Sequence, residues 1–254
     1  MNKASANQVK GWRKLSQKKY RYQSGLFIAE GERCVEQIFE NRKVKVDAII
    51  LSEESSVKAP LHGDIPLFIV SAPVFKSITD TDTPQGIAAI CNIPAEPTVG
   101  RFKNETGIIV ALDAVQDPGN LGTIIRTASW FGAKALLAGD GTVDPYHPKV
   151  VRSTAGATGA LQVISGELSR LIGMLEKNGW RTYILDIGEQ SEDLNKIEKA
   201  DRAILVAGNE AKGISPALLT GQRRKIKIER CGSDAESLNV SVALGICLYH
   251  MSTN

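Results

Sequence analysis

The chain has 254 residues, of which 43% are hydrophobic and 23% charged, and its formal net charge is +3. This composition is typical of a globular protein with a sizeable core, built as one large domain or two modest ones. There is no run of roughly 18 apolar residues that could span a membrane, and residues 1–10 lack the apolar segment of a secretory signal. The four cysteines and three histidines show no metal-ligand spacing. We therefore expect no metal, no membrane attachment and a reducing, cytoplasmic location.

Residues 1–25 are strongly basic, with seven lysines and arginines and no acidic residue. Trp12, Tyr20 and Tyr22 are interleaved with these cations. Cations neutralise phosphates and exposed rings stack on unpaired bases, which favours an RNA-binding segment. A solvated, frayed terminus explains the same pattern equally well. A second basic group, Arg223 to Arg230, lies near the C-terminus.

The hydrophobic pattern then predicts a small α/β domain over residues 1–93. In chain order, the expected elements are an amphipathic helix over 26–42, strands over 46–51 and 67–70, a short helix over 74–78 and a strand over 87–93. Two prolines and a glycine between residues 94 and 100 predict a linker over 94–104.

Residues 105–254 show short apolar runs that alternate with helical segments. The expected strands are 107–112, 135–138, 161–164, 183–185, 203–206 and 226–228, and the expected helices are about 120–132, 148–156, 167–178, 215–220 and 239–251. Continuous apolar strands between helices predict a parallel sheet covered on both faces. One strand ends in Asp186-Ile187-Gly188, which faintly resembles the cofactor loop of a Rossmann-type methyltransferase. No second glycine follows at useful spacing, so we interpret it as a core strand and loop.

The first of three informative segments runs from Asp113 to Ala128. Pro118-Gly119 predicts a turn, and Asn120 can cap the helix that follows. Arg126 lies roughly 140° around that helix from Leu121, which belongs to the apolar stripe. We therefore expect the Arg126 side chain to be exposed. An exposed helical arginine is usually only solvated, so its position alone assigns no function.

The second and third segments lie closer to the C-terminus. Leu205 to Ser215 is an apolar strand that enters a glycine-bracketed turn, and glycines permit close approach of a ligand to the backbone. It is not a phosphate loop, because Ile214-Ser215 follows the last glycine where Lys-Ser/Thr is required. Glu236 to Ala243 is a polar loop that leads into an apolar helix. Serine or asparagine at such a helix start caps backbone N–H groups or presents donors to a ligand.

In this order, the three segments resemble the signature motifs of the SpoU (TrmH-like) family of RNA ribose methyltransferases, in the SPOUT superfamily. The resemblance is strong over residues 105–254, and residues 1–93 more weakly resemble the family's L30e-like RNA substrate-binding domain. It implies an α/β fold with a deep C-terminal trefoil knot, which strand patterns alone cannot reveal. It also implies a homodimer that methylates a ribose 2′-hydroxyl of RNA with S-adenosylmethionine. The auxiliary domain favours 23S-type ribosomal RNA; a tRNA substrate and a non-catalytic RNA-binding assembly factor are the alternatives.

The resemblance also assigns the site. The implied catalytic residues are Asn120, Arg126, Glu210, Ser237 and Asn239, and the implied cofactor-binding residues are Gly208, Ile228 and Leu238. Arg126 corresponds to the family's essential arginine, which contacts the target phosphate or ribose and has been proposed as the base. Since a guanidinium pKa lies at roughly 12 or above, we expect it to orient the phosphate instead. The presence of all five polar residues argues against a decayed enzyme. The family usually has proline after the isoleucine that corresponds to Ile228. Here Glu229-Arg230 follows instead, which leaves the backbone at the adenine edge of the implied cofactor pocket less defined.

Overall fold

The computed structural model describes residues 2–57, 65–232 and 234–252. Its chain divides into two compact units: unit 1 is Met1–Ala95 with Asp144–Ala160, and unit 2 is Glu96–Val143 with Leu161–Asn254. The elements before residue 96 are β1 (Asn2–Lys3), α1 (Ala6–Lys14), α2 (Lys18–Ser24), β2 (Leu26–Glu30), α3 (Glu32–Asn41), β3 (Val46–Ser52), β4 (Leu67–Val70), α4 (Ala72–Ile78) and β5 (Ile87–Asn92).

The remaining elements follow a 3₁₀ helix over Val99–Asn104. They are β6 (Gly107–Asp113), α5 (Pro118–Trp130), β7 (Ala135–Ala138), α6 (Pro148–Ser153), β8 (Gln162–Ser165), α7 (Leu168–Glu176), β9 (Arg181–Leu185), β10 (Glu192–Asp193), β11 (Arg202–Gly208), β12 (Arg224–Lys227) and α8 (Val240–Ser252). Short 3₁₀ helices occupy Leu194–Lys196 and Pro216–Leu218.

Unit 1 contains a mixed five-stranded sheet in the order β1-β4-β3-β5-β2. Alternate strand residues face two apolar clusters, one packed by α3 and the other by α1 and α4. The predicted helix over 26–42 is wrong in its first part, because residues 26–30 form β2 and pair antiparallel with β5. Gly31, at a φ of 99°, separates this strand from α3. Residues 26–29 of β2 are apolar on both faces, a pattern that strand and helix share over so short a run.

The basic N-terminal segment is folded, not frayed. It forms α1 and α2, and Trp12 is buried with its ring centroid 5.3 Å from that of Phe68. Trp12 is therefore a core residue and not an exposed stacking ring. Tyr22 stays exposed, and the Lys14 ammonium lies 4.8 Å from the centre of the Tyr20 ring.

Residues 144–160 belong to unit 1, although they lie between two strands of unit 2 in the sequence. Tyr146 and Val151 join the apolar cluster that α3 covers. Asn41 Nδ2 donates a hydrogen bond to the Gly156 carbonyl at 3.0 Å. Arg152 adds ion pairs with the carboxylates of unit 1. Its Nη1 lies 3.3 Å from Glu30 Oε2 and its Nη2 lies 2.9 Å from Asp80 Oδ2.

The observed division therefore differs from the predicted linker at 94–104 and the continuous domain over 105–254. Unit 1 ends at Ala95, and the helix Val99–Asn104 places Val99 and Phe102 in the apolar core of unit 2. The boundary between Ala95 and Glu96 lies among the prolines and glycine of residues 94–100. The apolar pattern of residues 144–160 indicated burial, but such a pattern does not state which partner buries it.

A buried ion pair anchors the start of the 144–160 segment. Arg21 is 1% exposed, and its guanidinium pairs with the buried Asp144 carboxylate. Arg21 Nη1 also donates to the carbonyls of Leu15 and Ser16 at 2.8 and 2.9 Å. The Tyr22 hydroxyl donates to Asp144 Oδ1 at 3.0 Å. Although the Tyr22 side chain as a whole is exposed, partial burial of its hydroxyl end and the nearby Asp144 charge raise the pKa of Tyr22, so this hydroxyl remains a donor at neutral pH.

We expect Arg21→Ala to lower the free energy of unfolding by about 3–5 kcal/mol, because Asp144 would stay buried without its cation. Urea-induced unfolding followed by tryptophan fluorescence measures the change. Arg13→Ala is the matched control: Arg13 is exposed, donates only to the Ser77 hydroxyl, and should change stability by about 0.5 kcal/mol. A loss of less than about 1 kcal/mol for Arg21→Ala would show that the ion pair is dispensable.

Unit 2 contains a seven-stranded sheet in the order β10-β12-β9-β11-β6-β7-β8. All neighbouring strands pair in parallel, which confirms the predicted parallel α/β sheet. β11 lies between β6 and β9, and its register places Gly208 opposite Asp113 at the carboxyl ends of the two strands. Ligands of open parallel sheets bind at this edge, where the strand order reverses. The first and second sequence motifs therefore leave the sheet side by side.

The last helix, α8, packs against α5 and against β6 and β11. Its Leu244, Cys247 and Leu248 are buried. The chain thus returns from β12, near one edge of the sheet, to the central strands. The trefoil knot implied by the family resemblance stays a prediction. In the part of the chain that the structure describes, no helix has both the length and the apolar character needed to cross a bilayer.

Candidate active site

The loop after β6 leads directly into α5. Asp117 is the N-cap of this helix, and its Oδ1 accepts a hydrogen bond from the Asn120 backbone N–H at 2.8 Å. Pro118 occupies the first helical position, where its missing N–H costs nothing. The predicted cap at Asn120 is therefore wrong by three residues. Asn120 lies within the first turn, and its side-chain amide is available for contacts with other loops.

Three of the predicted catalytic residues, one from each motif, are joined by hydrogen bonds. Asn120 Nδ2 donates to Glu210 Oε1 at 2.8 Å, and Asn239 Nδ2 donates to Asn120 Oδ1 at 2.9 Å. Asn239 Oδ1 accepts from the backbone N–H and the hydroxyl of Ser241, at 2.9 and 2.6 Å. Asn239 therefore caps α8, as the sequence predicted, while its amide nitrogen reaches the first motif. We call Asn120, Glu210 and Asn239 the polar triad.

Arg126 and Ser237 lie outside this hydrogen-bonded set. Arg126 is exposed on α5, as its position off the apolar stripe predicted. Its guanidinium makes no hydrogen bond or ion pair with any residue in the described ranges. Ser237 is exposed in the loop before α8. Both side chains are therefore available to a ligand, which is what contact with RNA requires.

The predicted cofactor residues follow the ends of two strands. Gly208 ends β11, Ile228 follows β12 and is half-buried, and Leu238 lies two residues before α8. Leu238 is 49% exposed, and the described residues from 229 to 239 are all exposed. Apolar side chains beside exposed backbone suit an adenine base and a methionine chain, which need apolar contact and backbone hydrogen bonds. The residues present thus fit a methyl donor of this class.

The space around Gly208 explains its identity. A Cβ atom there would lie 2.5 Å from the Gly213 carbonyl oxygen and 2.8 Å from Ile214 Cδ1. Gly208 is required because the protein's own backbone approaches closely, and not because of its φ angle. Gly213 differs, since its φ of 67° is one that side-chain-bearing residues rarely adopt.

Sequence reasoning missed two residues that hold these loops together. Asp113 Oδ2 accepts from the Ser215 backbone N–H at 2.6 Å. Asn209 Nδ2 donates to the Ala114 carbonyl at 2.8 Å. The sequence signal that could have identified them is their position: each is a polar residue at the carboxyl end of an apolar strand, one in the first motif and one in the second.

The rival loop at Asp186-Ile187-Gly188 is engaged internally. Asp186 Oδ2 accepts from the Ser191 hydroxyl at 3.1 Å and lies 3.4 Å from Lys225 Nζ. Partial burial opposes ionisation, but the bonds from Ser191 and Lys225 prevail and lower the pKa of Asp186. Asp186 is thus engaged by neighbouring residues of its own sheet edge, which supports its interpretation as part of a structural loop. Within the described residues, no three His, Cys, Asp or Glu side chains cluster as a metal site would require.

The chain belongs to the SpoU rRNA Methylase family, which residues 107–249 match. Residues 6–89 match the MRM3-like substrate binding domain. These matches confirm the family resemblance drawn from the three motifs.

Relatives cover the chain almost completely. The 23S rRNA (guanosine(2553)-2'-O)-methyltransferase RlmP of Bacillus subtilis (strain 168) is 35% identical over 248 residues, or 98% of this chain and 97% of the relative. A TrmH-family protein of Porphyromonas gingivalis has a similar structure, with a TM-score of 0.84, 30% identity and 98% coverage of both chains. The AdoMet-bound rRNA methyltransferase of Sinorhizobium meliloti has a TM-score of 0.82 and 30% identity, and covers 98% of this chain and 96% of its own.

Proposed function

We propose that this protein transfers a methyl group from S-adenosylmethionine to a ribose 2′-hydroxyl of 23S-type ribosomal RNA in the cytoplasm. The polar triad at the carboxyl edge of the sheet carries the proposal, because it joins all three family motifs in one place. The B. subtilis relative, named for a guanosine of 23S rRNA, supports the substrate. The S. meliloti relative, whose structure contains AdoMet, supports the cofactor.

The loops Gly208–Gly213 and Ile228–Leu238 form the proposed cofactor pocket. S-adenosylmethionine, when bound, supplies a methyl group on a positively charged sulfur. Ile228 and Leu238 offer apolar contact to the adenine, and the exposed loop backbone offers hydrogen bonds. The polar triad holds the first-motif helix, the Glu210 loop and the start of α8 at fixed spacing, and an error of about 1 Å in such spacing costs roughly 100-fold in rate.

Arg126 is proposed to hold a phosphate next to the target ribose. A planar guanidinium binds two phosphate oxygens at once, which fixes the orientation of the sugar. Its charge persists at neutral pH, so it orients the substrate and stabilises charge without acting as a base. Ser237 is proposed to contribute a hydroxyl near the reacting ribose.

Unit 1 is proposed to supply RNA affinity through the exposed cations of α1 and α2. Replacing Lys10, Lys18 and Lys19 by alanine should weaken binding of a 23S rRNA fragment. It should also reduce the salt dependence of log K by about one unit for each phosphate that is no longer neutralised. Fluorescence anisotropy at several KCl concentrations measures both effects. Alanine at Lys134, Lys177 and Lys199, which are exposed in unit 2, gives a matched change in charge. Equal losses of RNA affinity in the two triple variants would show that the lysines of unit 1 contribute no more to RNA binding than exposed lysines of unit 2.

A homodimer is proposed through the exposed apolar stripe of α8. Val242 and Ile246 lie one turn apart and are both exposed, and Trp130 at the end of α5 is 85% exposed. Apolar side chains exposed on one face of a helix favour burial against a partner. Light scattering should show a dimer for the native chain and a monomer for Val242→Glu/Ile246→Glu. Met174→Glu, an exposed position on α7, should remain dimeric. A monomeric native chain would refute this proposal.

The proposed activity is tested with RNA from cells that lack this gene. The purified protein, ribosomal RNA and S-adenosylmethionine labelled in its methyl group should yield labelled 23S rRNA. Mapping of 2′-O-methyl groups then identifies the nucleotide, beginning with the guanosine for which the B. subtilis relative is named. Label in tRNA alone would favour a tRNA enzyme. Cofactor binding by calorimetry without transfer to any RNA would favour an assembly factor.

The cysteines provide a direct test of the cofactor pocket. Cys231 is exposed in the Ile228–Leu238 loop, whereas Cys34, Cys91 and Cys247 are buried. Burial raises the pKa of Cys34 to about 11 and that of Cys247 to about 12, so these thiols stay protonated and unreactive. We expect dithionitrobenzoate to modify one thiol in the native chain, and S-adenosylmethionine to slow that reaction. Cys231→Ser should abolish it. Equal rates with and without cofactor would place Cys231 outside the pocket.

A further inference from the structure

Asn209, the residue that follows β11, closes a small hairpin at the proposed cofactor pocket. Its Oδ1 accepts from the backbone N–H groups of Ala211 and Lys212, both at 3.0 Å. Backbone bonds between Asn209 and Gly213 run in both directions, at 3.1 and 2.8 Å. One side chain therefore organises the whole turn from residue 209 to 213.

The same side chain connects this hairpin to the first motif. Asn209 Nδ2 donates to the Ala114 carbonyl at 2.8 Å, in the loop that leads from β6 to α5. Ala114 has a φ of 57°, a left-handed conformation that residues other than glycine adopt only when their surroundings enforce it. The bond from Asn209 is one such constraint. It fixes the Ala114 carbonyl in an orientation that an unbraced alanine would rarely hold.

The neighbouring residue makes this connection important for the site. Glu210 immediately follows Asn209, and its carboxylate accepts the bond from Asn120 at 2.8 Å. Ser215, beyond the hairpin, is held by Asp113. The hairpin is thus attached to the first motif on both sides of the turn. Among the bonds that residues other than Glu210 make to the first motif, the bond of Asn209 lies closest in sequence to Glu210.

We propose that Asn209 is a positioning residue for methyl transfer. Its bond to Ala114 fixes the hairpin that bounds S-adenosylmethionine against the loop that carries Asn120. This inference rests on the proposed function, from which it takes the cofactor pocket. Without the bond, the hairpin is free to shift, the pocket loses its shape, and Glu210 loses its fixed distance from Asn120. Asn209 itself need not touch either substrate.

Asn209→Asp separates the two halves of this side chain. Aspartate keeps the acceptor for Ala211 and Lys212, but its ionised carboxylate cannot donate to the Ala114 carbonyl. We expect the Kd for S-adenosylmethionine, measured by calorimetry at pH 8, where the carboxylate is ionised, to rise about tenfold relative to the native chain, as loss of a half-buried donor predicts.

Asn178→Asp is the matched control, because Asn178 Nδ2 also donates to a backbone carbonyl at 2.8 Å, that of Met174. Its ratio of variant to native Kd should stay within twofold of one. Asn209→Ser, which retains an acceptor but cannot reach Ala114, should also raise Kd. If Asn209→Asp does not fold, the Kd of Asn209→Ser tests the inference instead.

A purely structural role would lower the melting temperature of Asn209→Asp and leave the ratio of variant to native Kd near one. That result would overturn the inference while the native chain still binds the cofactor. If the native chain does not bind S-adenosylmethionine, the proposed function fails, and this inference fails with it.

Discussion

Replacement of Arg126 by alanine should lower kcat/KM for RNA methylation by about 100-fold or more, while the fold and the affinity for S-adenosylmethionine stay unchanged. The side chain is exposed on α5 and has no partner among the described residues, so its loss removes no packing and leaves no buried group unpaired. What it removes is the proposed phosphate contact. A ribose that is no longer oriented rarely presents its 2′-oxygen in line with the methyl group.

Steady-state transfer of labelled methyl groups measures this effect. The affinity for S-adenosylmethionine, measured by calorimetry, and the melting temperature, measured by thermal unfolding, should not change. Arg170→Ala is the matched control, because Arg170 is also exposed on a helix of unit 2 and lies on α7, away from the motifs. Arg126→Lys should recover little activity, since an ammonium cannot make the planar two-point contact. Full turnover by Arg126→Ala would refute the assigned role.

Gly208→Val should abolish most cofactor binding, with a rise in Kd of about 100-fold from overpacking at the turn. The added Cβ would lie 2.5 Å from the Gly213 carbonyl oxygen and 2.7 Å from its carbon. Backbone atoms cannot swing aside as a flexible side chain does, so the hairpin must open. The Asn209–Gly213 bonds would break, and the pocket wall would move.

Gly188→Ala provides the comparison, because its Cβ would meet only side-chain atoms, those of the Asp186 carboxylate, the nearest at 3.1 Å. We expect its Kd to remain within twofold of the native value. Thermal unfolding should show that Gly208→Val is still folded, since the change lies at the carboxyl end of β11 and outside the apolar core. If Gly188→Ala destroyed binding and Gly208→Val preserved it, the cofactor would lie at the rival loop, and the proposed pocket would be wrong.

The parallel strands and the meeting of the motifs were predictable for different reasons. Apolar runs such as 203–206 predicted buried parallel strands, because only a doubly covered sheet buries both faces. The motifs predicted which residues would act together, through family resemblance and not through geometry. The register of β11 on β6, which sets Gly208 against Asp113, has no signature in either strand alone. It depends on which strand inserts between two others, a property of the whole chain.

The errors have a common physical origin. The local pattern predicts a helix cap at Asn120, but Asp117 before Pro118 competes for the same role and prevails. The basic neighbours of Trp12 favour an exposed ring, although one face of α1 is buried. In both cases a local pattern allows two structures. At α5 a neighbour, Asp117, selects one of them, whereas for Trp12 the selection comes from a contact distant in sequence, with Phe68. The place of residues 144–160 in unit 1 is the largest such effect.

That discontinuity sets an order of events during synthesis. A ribosome releases this chain from its N-terminus, and domains whose residues are contiguous can fold as soon as they emerge. Unit 1 cannot do so. Until residues 144–160 have emerged, Arg21 has no Asp144 to neutralise it, and the cluster under α3 lacks Tyr146 and Val151. Strands β6 and β7 and helix α5 of unit 2 are made in the interval. Most of unit 1 is therefore synthesised first, but its core is complete only after residues 144–160 have been synthesised.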